Sequence, residues 1–221
     1  DLSPRSIAIA ETFAARHPVD QQAGTLRYVV GAVLAHETLP VASFEAMVCL
    51  GALHHFPDQD AVMERVRDLL CPGGVVLVHE PVRDRVSRRT TTVSYHIRSL
   101  LAASGSFGES PDLPDSPAAL KGELDALHAT LRSEDAGGGK LQSVNDHDAG
   151  YADMVPRLRA SFTERRLEWR YGLFHEIIGG LRFATDERNA RVAWLIRELD
   201  RELVACDAID ATEFCFAGTR E

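Results

Sequence analysis

Histidine supplies most of the chemistry this sequence can offer. Imidazole titrates near neutral pH and can take a proton from a reacting group. His54-His55 follows an apolar run, while Tyr95-His96 and Phe174-His175-Glu176 flank an irregular middle stretch. Either of the last two is placed to line a substrate pocket. His175 is the preferred base on the substrate side, and the plainer reading of both is polar residues facing solvent or an interface. Asp146-His147-Asp148 has the residue types of a metal site. Three consecutive side chains do not converge easily on one ion, and no second cluster has ligand spacing, so it reads as solvated loop with no metal. Arg83, Asp84, Arg85, Arg88 and Arg89 read as a solvated face, or as an attraction for an anionic substrate or partner. Cys49, Cys71, Cys206 and Cys215 never fall as C-x-x-C, and they read as small hydrophobes in a reducing, cytoplasmic protein.

Periodic patterns supply the elements that would position these groups. Ser3-Pro4 starts a helix, Ser as cap and Pro in the first turn, which should stop before Pro18. Residues 26–30 (LRYVV) read as a short strand. Residues 44–50 (FEAMVCL) read as a strand buried on both faces. An amphipathic helix over 60–70 leads to a tight turn, Cys71-Pro72-Gly73-Gly74, and a buried strand, VVLV, ending at His79-Glu80-Pro81. Strand, helix and strand in this order make a βαβ unit with parallel strands. Helices are predicted over 90–103, 117–132, 149–162 and 187–205. Strands are predicted over 166–178 and 211–218. Gly137-Gly138-Gly139 is a flexible break.

The whole chain has 221 residues, 45% of them hydrophobic, enough for an α/β domain with an elaboration. Its formal charge of −9, from 24 basic and 33 acidic residues, argues against a nucleic-acid partner. No apolar stretch approaches the roughly 20 residues that span a bilayer, so no membrane partner is expected. No lysine beyond Lys121 and Lys140 is present.

Four segments in order resemble the class I S-adenosylmethionine-dependent methyltransferases. Asp1-Leu2-Ser3-Pro4 resembles the acidic end of that family's second strand. Residues 44–58 (FEAMVCLGALHHFPD) are similar to the fourth-strand motif. Residues 69–81 (LLCPGGVVLVHEP) resemble the Pro-Gly-Gly turn into the fifth strand, and residues 214–220 (FCFAGTR) the last antiparallel strand. The resemblance implies a Rossmann-like α/β fold, a three-layer sandwich with sheet order 3-2-1-4-5-7-6. It implies a core from residues 1–82 and 165–221, with a helical cap or insertion over 83–164.

It also implies S-adenosylmethionine as cofactor. Asp1, followed by Leu2, would accept hydrogen bonds from the ribose hydroxyls. Ala32 and Val33 follow the third strand, where the family often has an Asp for the adenine amino group, so that contact would come from backbone. Glu45 replaces the usual Asp of the fourth strand. Cys49 and Leu50 would approach the methionine portion, and His54 and His55 would lie at the floor of the site, orienting substrate or taking a proton. The plainer reading of each is packing: a core strand end for Cys49 and a loop-capping role for the histidines.

The family's Gly-x-Gly-x-Gly turn belongs about 20 residues before Asp1 and is not in the sequence. The expectation is a chain incomplete at its N-terminus, lacking the first strand and most of the second. Such a chain leaves the strand at 44–50 with an open apolar edge, a hazard for aggregation, unless residues 26–30 pair with it or a second chain covers it. Weak cofactor binding is expected without the upstream part. Two functions follow. One is a methyltransferase of a small-molecule O, N or C nucleophile, with homodimerisation left open. The other is a non-catalytic methyltransferase-like interaction module. A nicotinamide-dependent dehydrogenase is disfavoured, since neither its glycine fingerprint nor a Tyr-x-x-x-Lys is present.

Overall fold

A computed structural model describes residues 3–18, 24–35, 39–108, 113–132 and 149–221. Four strands form one sheet: β1 (Phe44–Leu50), β2 (Leu70–Pro81), β3 (Thr163–Arg170) and β4 (Glu213–Thr219). Their order is β1-β2-β4-β3. β1 and β2 are parallel, and β4 runs antiparallel to both of its neighbours. This order corresponds to the 4-5-7-6 run of the sheet order that the resemblance implies; the strand expected over residues 26–30 is not in the described sheet.

The helices are α1 (Pro4–Arg16), α2 (Gln59–Leu69), α3 (Arg88–Ala103), α4 (Pro117–Leu131), α5 (Tyr151–Ser161), α6 (Phe174–Ile178) and α7 (Asp186–Ala205). Local chemistry sets their starts. Ser3 Oγ accepts the Ser6 N–H at 3.2 Å, and Pro4 occupies the first turn of α1. Asp58 caps α2 through the Ala61 N–H at 2.9 Å, relieving one of the donors every helix start leaves over.

The main core lies on one face of the sheet. Val62, Met63 and Val66 of α2 and Met154, Val155 and Leu158 of α5 pack against Val76, Val78, Phe214 and Phe216. A second cluster gathers Leu173, Ile177, Leu181, Ile196 and Ile209, with Val93, Ile97 and Leu101 of α3 against it. The other face of the sheet is more open. Val48 is 59% exposed, Leu50 69% and Leu77 42%. On that side a cavity of about 650 Å³ separates β3 from α7, lined by Glu168, Arg170, Arg197 and Arg201 among others.

Four local expectations are corrected. Residues 26–30 form no strand. β-propensity makes a strand only where a ladder forms, and this segment is not one of the strands of the described sheet. β1 is not buried on both faces, because nothing among the described residues covers the face that carries Val48 and Leu50, which are 59% and 69% exposed. The tight turn at Cys71–Gly74 lies inside β2 as a bulge. The register passes from Phe44↔Leu70 to Ala46↔Val75. Gly73 takes φ +78°, and a Cβ on Gly74 would sit 2.8 Å from the Cys71 carbonyl oxygen, so both positions call for glycine. Finally, the strand at 166–178 stops at Arg170. Tyr171 turns the backbone at φ +42°, and α6 follows.

Candidate functional site

The carboxyl ends of β1 and β2 lie side by side, with Leu50 opposite His79. Because side chains alternate along a strand, the neighbours His79 and Glu80 leave β2 on opposite faces. Each begins its own set of contacts.

Glu80 points into the core side and is fully buried. One carboxylate oxygen accepts the backbone N–H groups of Ala52 and Leu53 at 2.7 and 2.8 Å. The other accepts from His54 Nδ1 at 2.7 Å. A buried carboxylate needs such partners, and here all three come from the loop leaving β1. That loop passes Gly51, at φ +57°, into a 3₁₀ turn at Leu53–His55. Gln59 Nε2 donates to the carbonyls of Leu53 and Phe56 from the other side. His54 therefore keeps Nε2 as its remaining ring nitrogen, and the ring of exposed His55 lies 4.1 Å from it, centroid to centroid.

His79 points to the open face. Its Nε2 donates to Glu213 Oε2 at 2.7 Å. The second oxygen of Glu213 accepts a short bond from His175 Nδ1. Glu213 is the first residue of β4 and pairs with Pro81. The bond to Glu213 raises the proton affinity of His175 above its ordinary value, against the opposing effect of burial. α6, which carries His175, is itself anchored. Buried Asp200 of α7 accepts the N–H groups of Gly172, Leu173 and Phe174 at 2.8, 3.0 and 2.6 Å. Burial holds the Asp200 carboxyl above the usual range despite those three bonds.

The residues expected from sequence fall as follows. Leu50 lies beside His79 at the strand ends; His54 is held by Glu80 on the core face, and His175 is joined to His79 through Glu213 on the open face. Cys49 packs against the main core instead of the open face. Its thiol is pushed up to about 11 by burial, then by nearby Glu80. Val33 also packs against that core, and its carbonyl accepts from Arg65 Nε at 3.2 Å. Ala32 accepts the Ala35 N–H at 2.9 Å. Asp1, Leu2, the 137–139 glycines and Asp146-His147-Asp148 lie outside the described residues. His96 is exposed on α3. The arginine run is internally engaged, with Arg88 on Asp125, Arg89 on Asp210 and Arg85 over the Trp169 ring. Among the described residues no group of three or more His, Cys, Asp or Glu could hold a metal ion. No helix among them is long and apolar enough to cross a membrane.

Sequence reasoning missed His79, Glu80 and Glu213. The signal was an acid inside an apolar strand, twice: VVLVHE and TEFCF. Such an acid is rarely buried without a partner.

Residues 1–76 match a family model described as a methyltransferase domain. The solved structure of the [4+2]-cyclase SpnF is similar at TM-score 0.50 and 14% identity, over 99% of this chain and 63% of that one. A SAM-dependent methyltransferase from Methanosarcina mazei is similar at TM-score 0.51 and 13% identity, over 100% of this chain and 79% of that one. No curated protein sequence matches. The chain thus spans less than two thirds of the length of SpnF. Its fold is the Rossmann-like α/β fold of these two structures, as the sequence resemblance implied.

Proposed function

We propose that this chain is the catalytic core of an S-adenosylmethionine-dependent methyltransferase acting on a small-molecule O, N or C nucleophile in the cytoplasm. The observation that carries the reading is the meeting of two hydrogen-bonded sets at one pair of strand ends. Glu80 of β2 fixes the 51–55 loop on one face, and on the other His79 of β2 bonds Glu213 of β4, which fixes His175.

The residues present fit the thioether half of the cofactor. Leu50 and Gly51 are exposed at the strand end, and nothing lies within 4 Å of where a Cβ on Gly51 would be. This leaves an open apolar shelf. The backbone of Ala32 and Val33 would face the adenine, and Asp1 and Leu2 would take the ribose. When bound, the group supplies a methyl on a sulfonium, already a strong electrophile. The protein is then left with alignment, exclusion of water and removal of a proton. His54, His55 and His175 are the groups able to hold or accept that proton. Helices α3 and α4, within the 83–164 stretch, would cover the acceptor.

Calorimetric titration of S-adenosylhomocysteine tests this, using the protein made from the complete reading frame that contains these residues. One equivalent should bind, and Leu50→Glu should abolish binding while leaving the circular dichroism spectrum unchanged. Failure of the unmodified protein to bind refutes the proposal.

A further inference from the structure

Glu213 is a single carboxylate shared by two imidazoles, one on each oxygen. It sits at the head of an apolar strand and is 9% exposed. A carboxylate accepts and does not donate, so both imidazoles must present N–H to it. For His175 this places the proton on Nδ1 and leaves the Nε2 lone pair free. The ring is held elsewhere too. Tyr171 lies edge-on at 5.2 Å, and Phe174 packs at 4.9 Å. The backbone of α6 hangs from Asp200. In a ring so fixed, with a side chain 47% exposed, Nε2 is the nitrogen that Glu213 does not engage.

We propose that Glu213 is the positioning residue that makes His175 Nε2 the proton acceptor of the site, and that the site is thereby suited to hydroxyl or phenol acceptors. This rests on the methyltransferase reading above. As the acceptor oxygen bonds the methyl carbon and the carbon–sulfur bond breaks onto sulfur, the O–H proton passes to Nε2. The imidazolium then releases it to water, and Glu213 stays an acceptor throughout. His79 competes for the same carboxylate from β2 and tempers its pull on His175.

The charged groups around His175 are consistent with this. Glu176 of α6, Asp200 of α7 and Glu213 of β4 supply negative charge. Arg170 pairs opposite Glu213 from β3, Arg83 lines the same small cavity as His175, and His79 stands on β2. Tyr171 is the remaining titratable neighbour.

Long-range proton–nitrogen NMR of the histidine rings tests the assignment, from about pH 5 to 9, the range in which imidazole titrates. In the unmodified protein His175 should show the Nδ1–H form and titrate above the ordinary imidazole value. Glu213→Gln should lower that midpoint and mix the tautomers. His79→Leu, at a half-exposed position, should raise the midpoint further by freeing the carboxylate. A purely structural Glu213 predicts no response to His79→Leu. An unchanged His175 in either variant overturns the proposal.

Methyl transfer to a panel of phenols and amines completes the test. Glu213→Gln should lower kcat on phenols by about 10²-fold or more, the usual scale for general-base loss, with KM for S-adenosylmethionine unchanged. Transfer confined to amines, or to no phenol, overturns it. Loss of S-adenosylhomocysteine binding by the unmodified protein sinks the methyltransferase reading instead, so the two failures are distinguishable.

Discussion

Replacing Glu80 by alanine should come close to unfolding this protein, whereas glutamine should be tolerated. Three hydrogen bonds of 2.7, 2.8 and 2.7 Å end on this buried carboxylate. A bond to a charged group contributes about 1.5–3 kcal/mol, and a buried donor left alone costs about 1–3 kcal/mol. The Leu53 N–H is buried, while His54 keeps a 20% exposed side chain and can turn to water. Discounting the His54 bond for that access puts Glu80→Ala at about 4 kcal/mol, within the range seen when one partner of a buried charged pair is removed. That is a large share of the roughly 5–15 kcal/mol of a typical domain. Glutamine can set its amide oxygen where the Ala52 and Leu53 N–H groups converge. Its NH₂ then faces His54 Nδ1, which must pass its proton to Nε2. The cost should be about 1–2 kcal/mol, one exchanged hydrogen bond. Urea unfolding gives both values, and ring-nitrogen NMR reads the tautomer. If alanine costs under about 1 kcal/mol, well short of these bonds, or if glutamine costs as much as alanine, the loop is not held by Glu80.

Two further outcomes follow from perturbed groups. Asp200 titrates above its unfolded value because it is buried. Its contribution to stability is therefore complete below the unfolded value and is lost as pH rises through the folded one. The advantage of the native protein over Asp200→Asn in urea should shrink from acid to neutral pH, and a widening gap would reverse the sign of the argument. Cys49, pushed up to about 11, should stay unmodified by a thiol-specific disulfide reagent at neutral pH while exposed Cys206 reacts. Equal labelling rates, read by mass spectrometry, would contradict its burial against the core.

Much of the fold was legible because local chemistry and tertiary context agree there. Asp58 ahead of an amphipathic run marks α2, and Pro72-Gly73-Gly74 ahead of VVLV marks β2. Disagreement arose where a partner decides. Residues 26–30 have strand composition and no ladder. Phe174–Ile178 is a five-residue helix, too short for a 3.6-residue period to show, and its aromatic lead-in mimics a continuing strand. The site was legible at His54 and His175, whose chemistry is carried by their type. It was not legible at Glu80 and Glu213, whose roles depend on which face of a strand they occupy and on contacts made 27 and 38 residues away in sequence.

The bulge in β2 has a consequence for that facing. Between the paired positions Phe44↔Leu70 and Ala46↔Val75, β2 takes three more steps than β1. In a structure with a two-step repeat, an odd surplus sets the phase of everything downstream. The Pro-Gly-Gly segment is therefore a phase setter for His79 and Glu80, nine and ten residues along from Leu70. A change of one residue in its length would exchange their destinations. The carboxylate would be sent to the open face and the imidazole into the core. Chain length at 71–74 is thus a stricter requirement on the site than the identity of many residues nearer to it.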